Sequence, residues 1–342
     1  MAITRAATRT EVSARTPGPG SLRRPRTGPS VRSGAVLLLA LLLVAPPLYR
    51  AADGDTTPRP APTGPADPAG RLPHPSRVAV LVLENRSYEQ VIGNPAAPFI
   101  NRLARRYALD SRYYALGHPS LPNYVALTGG SKYGISTDCT SCDTEQPNLL
   151  NQLDTAHVAW RAYFEGLGHR APLIDRTLRY NPHLDPFAYY EQVEGSTKAR
   201  ERIGDFANLR RDMTHGHLRT FSWIAPDVFH DGHNGTLGQA DRFAAGLVPR
   251  VLHALGPRGV LYLLWDEGPN SDLRGIPGEA GGGRIPLIAA GGLARRAAVS
   301  ALPANHYALL RTIEANLGVP ALRHASYPST PLLAGLLRPR QQ

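Results

Sequence analysis

A chain of 342 residues is long enough for one large α/β domain or two smaller ones. Its formal charge of +11 would suit a nucleic-acid binder, yet residues 1–50 hold eight arginines against the single acid Glu11, so +7 of the excess lies there. The remainder carries only +4, with Lys132 and Lys198 as its sole lysines and no basic patch interleaved with aromatics, which argues against nucleic acid as a partner.

Residues 1–33 are rich in Arg, Pro, Gly, Ser and Thr and read as a disordered basic N-terminus. Residues 34–45 are almost all Ala, Val and Leu and are closed by Pro46-Pro47. A basic flank before a short apolar run is an export signature, and the run is too short for a full bilayer span. No small-x-small cleavage site follows, so 34–50 reads as a signal-peptide core or an uncleaved membrane anchor. Either way the chain is expected to be exported, secreted or held at the outer face of the cell membrane. Residues 51–76 are Pro- and Ala-rich without apolar periodicity and read as a solvated linker. A single domain is expected over 77–338.

That domain begins with Val-Ala-Val-Leu-Val-Leu at 78–83, the pattern of a strand buried on both faces. Such a strand tolerates no free charge, so Glu84 and Asn85 mark its end, where α/β sheets bind ligands. The plainer alternative is the cap of a following helix. Helical spacing is expected over 87–93 and 97–109, with Phe99, Ile100, Leu103 and Tyr107 on one face. In His118-Pro-Ser120-Leu-Pro122-Asn123-Tyr124, Pro122 suits a first helical turn. Ser120 then lies at the positive helix end, where phosphate or a developing oxyanion is favoured, unless it is simply an N-cap. Cys139 and Cys142 are the only cysteines. With no second pair to complete a zinc site, a local disulfide closing a surface loop is expected, away from the chemistry.

A helix over 148–153 and a strand over 158–164 follow, then a Tyr- and Pro-rich loop, 179–190, containing His183. The strand expected over 218–225 enters a loop with Asp227, His230, Asp231 and His233, a ligand-rich cluster. After an amphipathic helix, 239–255, a second apolar run stops on Asp266 and Glu267. Two buried strands that deliver carboxylates to one edge need a shared proton or a cation, and a hard divalent metal is the economical answer. Loop 268–284 is Gly-rich and expected to be mobile. A strand at 285–290 and a helix from His306 to Leu317 complete the pattern. This alternation predicts an α/β fold, a doubly wound, mainly parallel sheet flanked by helices.

Six motifs now stand in order: Glu84-Asn85-Arg86-Ser87, the His118–Tyr124 segment, Pro226…Asp231-Gly-His233, Trp265-Asp266-Glu267, Arg284-Ile-Pro286 and His306-Tyr-x-Leu-Leu-x-Thr-Ile-Glu314. Over roughly 77–320 the chain resembles the bacterial phosphoesterases that join acid phosphatases with phospholipases C, in the alkaline-phosphatase superfamily. Within them it looks most like secreted acid phosphatases of the phosphatidylinositol-3-phosphatase type. The resemblance implies that Ser120 is a nucleophile carrying a phospho-enzyme intermediate. It implies that Glu84, Asn85, Asp266 and Glu267 hold one divalent metal. It makes Asp231, His233, His118, His306 and Asn123 candidates for contact with the phosphoryl group or the metal, with His230 ranked below His233. His183 stands for the family's histidine in Tyr-x-x-Lys-His-x-Pro, here Tyr180-Asn-Pro-His183-Leu-Asp-Pro186 with altered spacing. The expected substrate is a phosphate ester or phospholipid headgroup.

The competing enzyme reading is a phospholipase C. Those relatives follow the Asp-Glu with a Gly-Gly-x-x-Asp-His-Val segment and carry further C-terminal domains. Here Gly-Pro-Asn-Ser-Asp follows and the chain ends soon after the last helix, which favours phosphomonoesters. A non-catalytic, surface-anchored phosphate-binding module is the third reading, and the filled nucleophile and carboxylate positions argue against it.

Overall fold

The computed structural model describes residues 72–168, 173–216, 218–278 and 281–339. Its first half holds β1 (Arg77–Leu83), α1 (Tyr88–Val91), α2 (Pro98–Arg106), β2 (Ala108–Tyr114), α3 (Ser120–Gly129), α4 (Leu149–Thr155) and β3 (Trp160–Phe164). Then come α5 (Glu191–Glu194), α6 (Thr197–Arg200), β4 (Ile203–Gly204), α7 (Phe206–Thr214), β5 (Phe221–Ala225) and α8 (Leu237–Leu255). Last are β6 (Gly259–Trp265), β7 (Arg284–Gly291), β8 (Ala298–Ser300), β9 (Ala304–Asn305) and α9 (His306–Leu317).

The strands form one sheet in the order β4-β3-β5-β1-β6-β7-β2-β8, with β9 beside β2. β7 runs antiparallel to β6 and β2, and the other neighbours are parallel. The sheet is therefore mainly parallel, as its apolar strands required. β6 is buried at every residue and β1 at every residue after Arg77. Helices cover the sheet: α2 packs on α8, α3 on α9, and both α8 and α9 lie against β1. α3 is buried along its whole length, which fits its sequence, where only Ser120, Asn123 and Thr128 interrupt small and apolar residues.

The structure departs from these expectations at several places and adds strands they did not include. The helix expected over 97–109 stops at Arg106, and Ala108 already belongs to β2. That strand carries Asp110-Ser111-Arg112, and its ladder to β7 shifts between Asp110 and Tyr113, so a bulge disguises its periodicity. β4, β8 and β9 are only two or three residues long, too short to show any period. Loop 268–284, expected to be mobile, is tied by Gly268 N–H to Gly282 O at 2.7 Å and Gly283 N–H to Arg274 O at 2.9 Å.

At the other end, Leu72 is 3% exposed and Asn316 Nδ2 donates to Pro73 O at 3.1 Å. Residues 72–76, expected as solvated linker, are thus part of the folded body. The expectations for 1–33, 34–50 and 51–71 lie outside the described residues. Among the described residues no helix is long and apolar enough to cross a membrane.

Candidate active site at the carboxyl edge of the sheet

Strand register brings the acids together. β1 and β6 pair in parallel with Leu83 opposite Trp265, so the next residues, Glu84 and Asp266, leave the sheet side by side. Asp266 N–H donates to Leu83 O at 3.0 Å, and Asn85 N–H to Asp266 Oδ1 at 3.2 Å. Asn85 turns the chain with φ +53°, a left-handed conformation that asparagine tolerates better than most residues. On the other flank the loop after β5 closes in, with Glu84 N–H donating to Asp231 O at 3.0 Å. Arg86 fastens that loop through Nη2 to Gly232 O at 2.9 Å and Gly235 O at 3.1 Å.

Ser120 comes from the start of α3. The N-cap is Pro119, and Ser120, the first helical residue, makes no capping bond. Its hydroxyl instead faces Glu84 Oε2 at 3.1 Å and Glu267 Oε1 at 3.4 Å. Tyr124, one turn along the same helix face, donates its buried hydroxyl to Glu84 Oε1. Asn123 knits the preceding loop: Nδ2 donates to Gly117 O at 2.8 Å and Pro119 O at 3.1 Å, and Oδ1 accepts Leu116 N–H at 2.9 Å. Its Nδ2 also lies 3.4 Å from Glu267 Oε2. His118 Nδ1 is 2.8 Å from the same oxygen, and its Nε2 is 3.0 Å from Asp272 O. The Glu267 carboxylate beside Nδ1 and the carbonyl beside Nε2 both raise the proton affinity of the ring above its ordinary value.

The acids themselves are under electrostatic pressure. Burial, then Asp266 and Asp231, push Glu84 well above the usual carboxylate range. Burial likewise raises Asp231, Asp266 and Glu267, with Glu267 adding to the rise at Asp266. Three buried oxygens, Asn85 Oδ1, Asp231 Oδ2 and Asp266 Oδ2, have no hydrogen-bond partner among the described residues. An all-oxygen donor set with orphaned acceptors and excess negative charge fits a hard divalent cation.

The remaining candidates are placed differently. His306 is fully buried, with Nε2 2.6 Å from Asp266 O and Nδ1 3.0 Å from the Tyr113 hydroxyl. Burial pushes it down to about 4, so it is neutral: Nε2 donates to the carbonyl and Nδ1 accepts from Tyr113. Expected to touch phosphoryl or metal, it has no nitrogen left for either and instead braces Asp266 from behind. His230 turns to Glu165 Oε2 at 2.8 Å and stacks on Phe243. Glu165, Asp227 and His230 bring ligand-type atoms within 4.8 Å of one another, but Arg179 already pairs with Asp227 and stands 3.9 Å from Glu165. His233 is exposed at the rim; its N–H donates to Asp231 Oδ1 at 2.7 Å and its Nδ1 lies 2.9 Å from Asn234 Oδ1. His183 lies 3.7 Å from Asp138 Oδ2.

The bridge Cys139–Cys142 is formed, with sulfurs 1.93 Å apart. It was expected away from the chemistry, yet its neighbour Asp138 accepts the N–H of Leu121, the residue after Ser120, at 3.0 Å. Sequence reasoning also missed Tyr113, Tyr124 and Asp138. Only Tyr124 carried a usable signal, its position four residues after Ser120 on a helix.

The Phosphoesterase family model matches residues 94–320. The phosphatidylinositol-3-phosphatase of Mycobacterium tuberculosis is 27% identical over 260 residues, covering 75% of this chain and 82% of that protein. The phosphate-repressible acid phosphatase of Penicillium chrysogenum is 26% identical over 72% of this chain, which spans only 60% of the fungal protein. A solved structure of a Vibrio parahaemolyticus protein in the alkaline phosphatase superfamily superposes with a TM-score of 0.52 at 12% identity, covering 74% of this chain and 70% of that one. That last likeness establishes the fold alone.

Proposed function

The chain belongs to the Phosphoesterase family and is a hydrolase of phosphate esters, and on that premise we propose that it is a metal-dependent phosphomonoesterase in which Ser120 is the nucleophile. The observation that carries this is the setting of the Ser120 hydroxyl, free of any capping bond and facing Glu84 and Glu267 beside three unpartnered buried oxygens. Glu84, Asn85, Asp266 and Glu267, with Asp231 beside them, are the residues that would hold one divalent metal. When bound, it would neutralise charge on the phosphoryl oxygens and ease ionisation of the serine.

The chain's own groups do the rest. Glu84 or Glu267, the two carboxylates that face the Ser120 hydroxyl, takes its proton as Oγ bonds to phosphorus and the bond to the leaving oxygen breaks. The positive end of α3 favours the negative phosphoryl group. His118 and Asn123 hold Glu267 in place, and His306 holds Asp266. His233, at the exposed rim, gives the leaving oxygen its proton and later accepts one from the water that frees Ser120. The substrate is a phosphate monoester, of which phosphatidylinositol 3-phosphate, named in the mycobacterial relative, is one instance. The basic flank and short apolar run before residue 50 support export.

Turnover of p-nitrophenyl phosphate against p-nitrophenylphosphorylcholine, with and without a chelator, tests substrate class and metal dependence together. Ser120→Ala should keep the fold but lose several orders of magnitude in turnover. The wild type, quenched in acid, should retain phosphate on a peptide containing Ser120. A folded Ser120→Ala protein within about tenfold of the wild-type rate, about 1.4 kcal/mol in barrier, would overturn the assignment.

A further inference from the structure

Asp138 is the meeting point of three pieces of chain. Its Oδ1 accepts the Leu121 N–H at 3.0 Å, in the first turn of α3, where backbone donors have no helical partner. Its Oδ2 stands 3.7 Å from Nδ1 of His183 in the Tyr- and Pro-rich loop, and the other ring nitrogen of His183, Nε2, is buried without a partner among the described residues. Its charge also reaches Glu267, whose Oε1 faces the Ser120 hydroxyl. The third piece is the loop that carries Asp138 itself. Among the described residues, no backbone N–H from 136 to 143 donates to another backbone group. The loop has no regular structure there, and its firm tie is the Cys139–Cys142 bridge, which begins one residue after Asp138.

We infer that Asp138 is a positioning residue for the Ser120 end of α3 and for His183, and that the Cys139–Cys142 bridge holds it there, so that opening the bridge lowers turnover. The inference rests on Ser120 as the nucleophile. The bridge spans only three positions in sequence, so closing it removes little chain entropy from the unfolded state. Its effect is therefore local, with the global fold almost indifferent to it. Opening it with a phosphine reductant balances simply. Phosphorus gives up an electron pair and takes an oxygen from water, becoming the phosphine oxide. The sulfur–sulfur bond breaks, and the two sulfurs take the electrons and the two water protons to become thiols. Asp138 then keeps its charge but loses the restraint that aims it at Leu121.

The test uses the full chain with p-nitrophenyl phosphate. Asp138→Ala removes both contacts and should lower kcat about tenfold or more, with KM within about twofold, because a small misplacement of a reacting group is costly. Asp138→Asn keeps an oxygen for the Leu121 N–H and should recover to within about threefold of wild type. The Cys139→Ser/Cys142→Ser double variant, and wild type whose two thiols have been freed and counted after phosphine treatment, should both lose at least about threefold in kcat with little change in Tm. Phosphine should not affect the double variant. Amide exchange at Leu121, read by mass spectrometry, should quicken in Asp138→Ala and in the double variant.

If the wild type shows no turnover, the phosphatase reading falls, and Leu121 exchange still judges this one. Unchanged turnover and unchanged Leu121 exchange in Asp138→Ala overturn the inference, as does full activity in reduced wild type. Should Asp138→Ala fail to fold, the double variant decides by the same two readouts.

Discussion

Two clusters of acids stand at the same edge of the sheet and share the loop after β5. In the first, Glu84, Asp231, Asp266 and Glu267 are buried together, their proton affinities are raised, and two of the carboxylates have an oxygen without a donor. In the second, the acids have basic side chains against them. Asp227 Oδ1 accepts the N–H groups of Phe229 and His230 at 3.0 Å each, the Arg179 guanidinium lies against Oδ2 as an ion pair although that oxygen makes no hydrogen bond, and His230 meets Glu165. The second is the tighter constellation of ligand-type atoms. The first is nevertheless the one that asks for a cation, because among the described residues no arginine pairs with its carboxylates, whereas Arg179 already sits at the second.

The strongest way to break this contrast is Asp266→Asn. Removing one charge from the unsatisfied cluster should lower bound metal, measured by elemental analysis, and cut turnover by at least about a hundredfold. A variant with full metal content and full activity would make the cluster merely structural. The matching change in the satisfied cluster is Asp227→Asn. It should cost about 1–3 kcal/mol in urea unfolding, since it leaves Arg179 and two backbone donors with a weaker partner, while metal content and kcat stay within about threefold of wild type. Loss of metal there instead would move the site one strand along the edge.

The smallest effect sharpens the comparison from outside both clusters. Glu314 in α9 is a solitary buried acid, pushed up to about 9 by burial, with Oε1 accepting Leu322 N–H at 2.9 Å. Its raised value means the folded protein keeps a proton that the unfolded chain releases above the ordinary carboxylate range. Stability should therefore fall as pH rises from about 4.5 towards 9, and below that window the group contributes no pH dependence. Glu314→Gln should flatten the fall in unfolding midpoint between about pH 5 and pH 8, an effect of up to about ten degrees in Tm. An unchanged slope would show that solitary burial leaves this carboxyl ordinary. The acids at the site could then owe their shifts to crowding alone.

The parts of this molecule legible in its sequence are those where burial on both faces leaves no choice. β1 and β6 are unbroken apolar runs, and the acids that end them had nowhere to go but the edge. β2 was illegible because Asp110, Ser111 and Arg112 break its apolar run and a bulge breaks its period. The histidines were illegible in another way. His118, His230 and His306 look alike as letters, yet one grips Glu267, one belongs to the satisfied cluster, and one is locked neutral behind Asp266. Only packing decides how many nitrogens each has left. The closeness of Asp138 to Leu121, seventeen positions away, is a fact of loop closure that no local pattern records.

The pairing of Leu83 with Trp265 determines how this site can be lost. Glu84 and Asp266 are neighbours only while the central ladder is zipped in that register, and a slip of one position would send side chains to opposite faces. Central strands buried on both sides exchange their amide hydrogens only through the rarest openings, those close to global unfolding. The costliest charges in the molecule are thus attached to the segment least free to relax them. Loosening at the rim, where His233 and the bridged loop sit, can dim the chemistry by degrees. The carboxylate pair itself should persist until the sheet comes apart, and then vanish in one cooperative step.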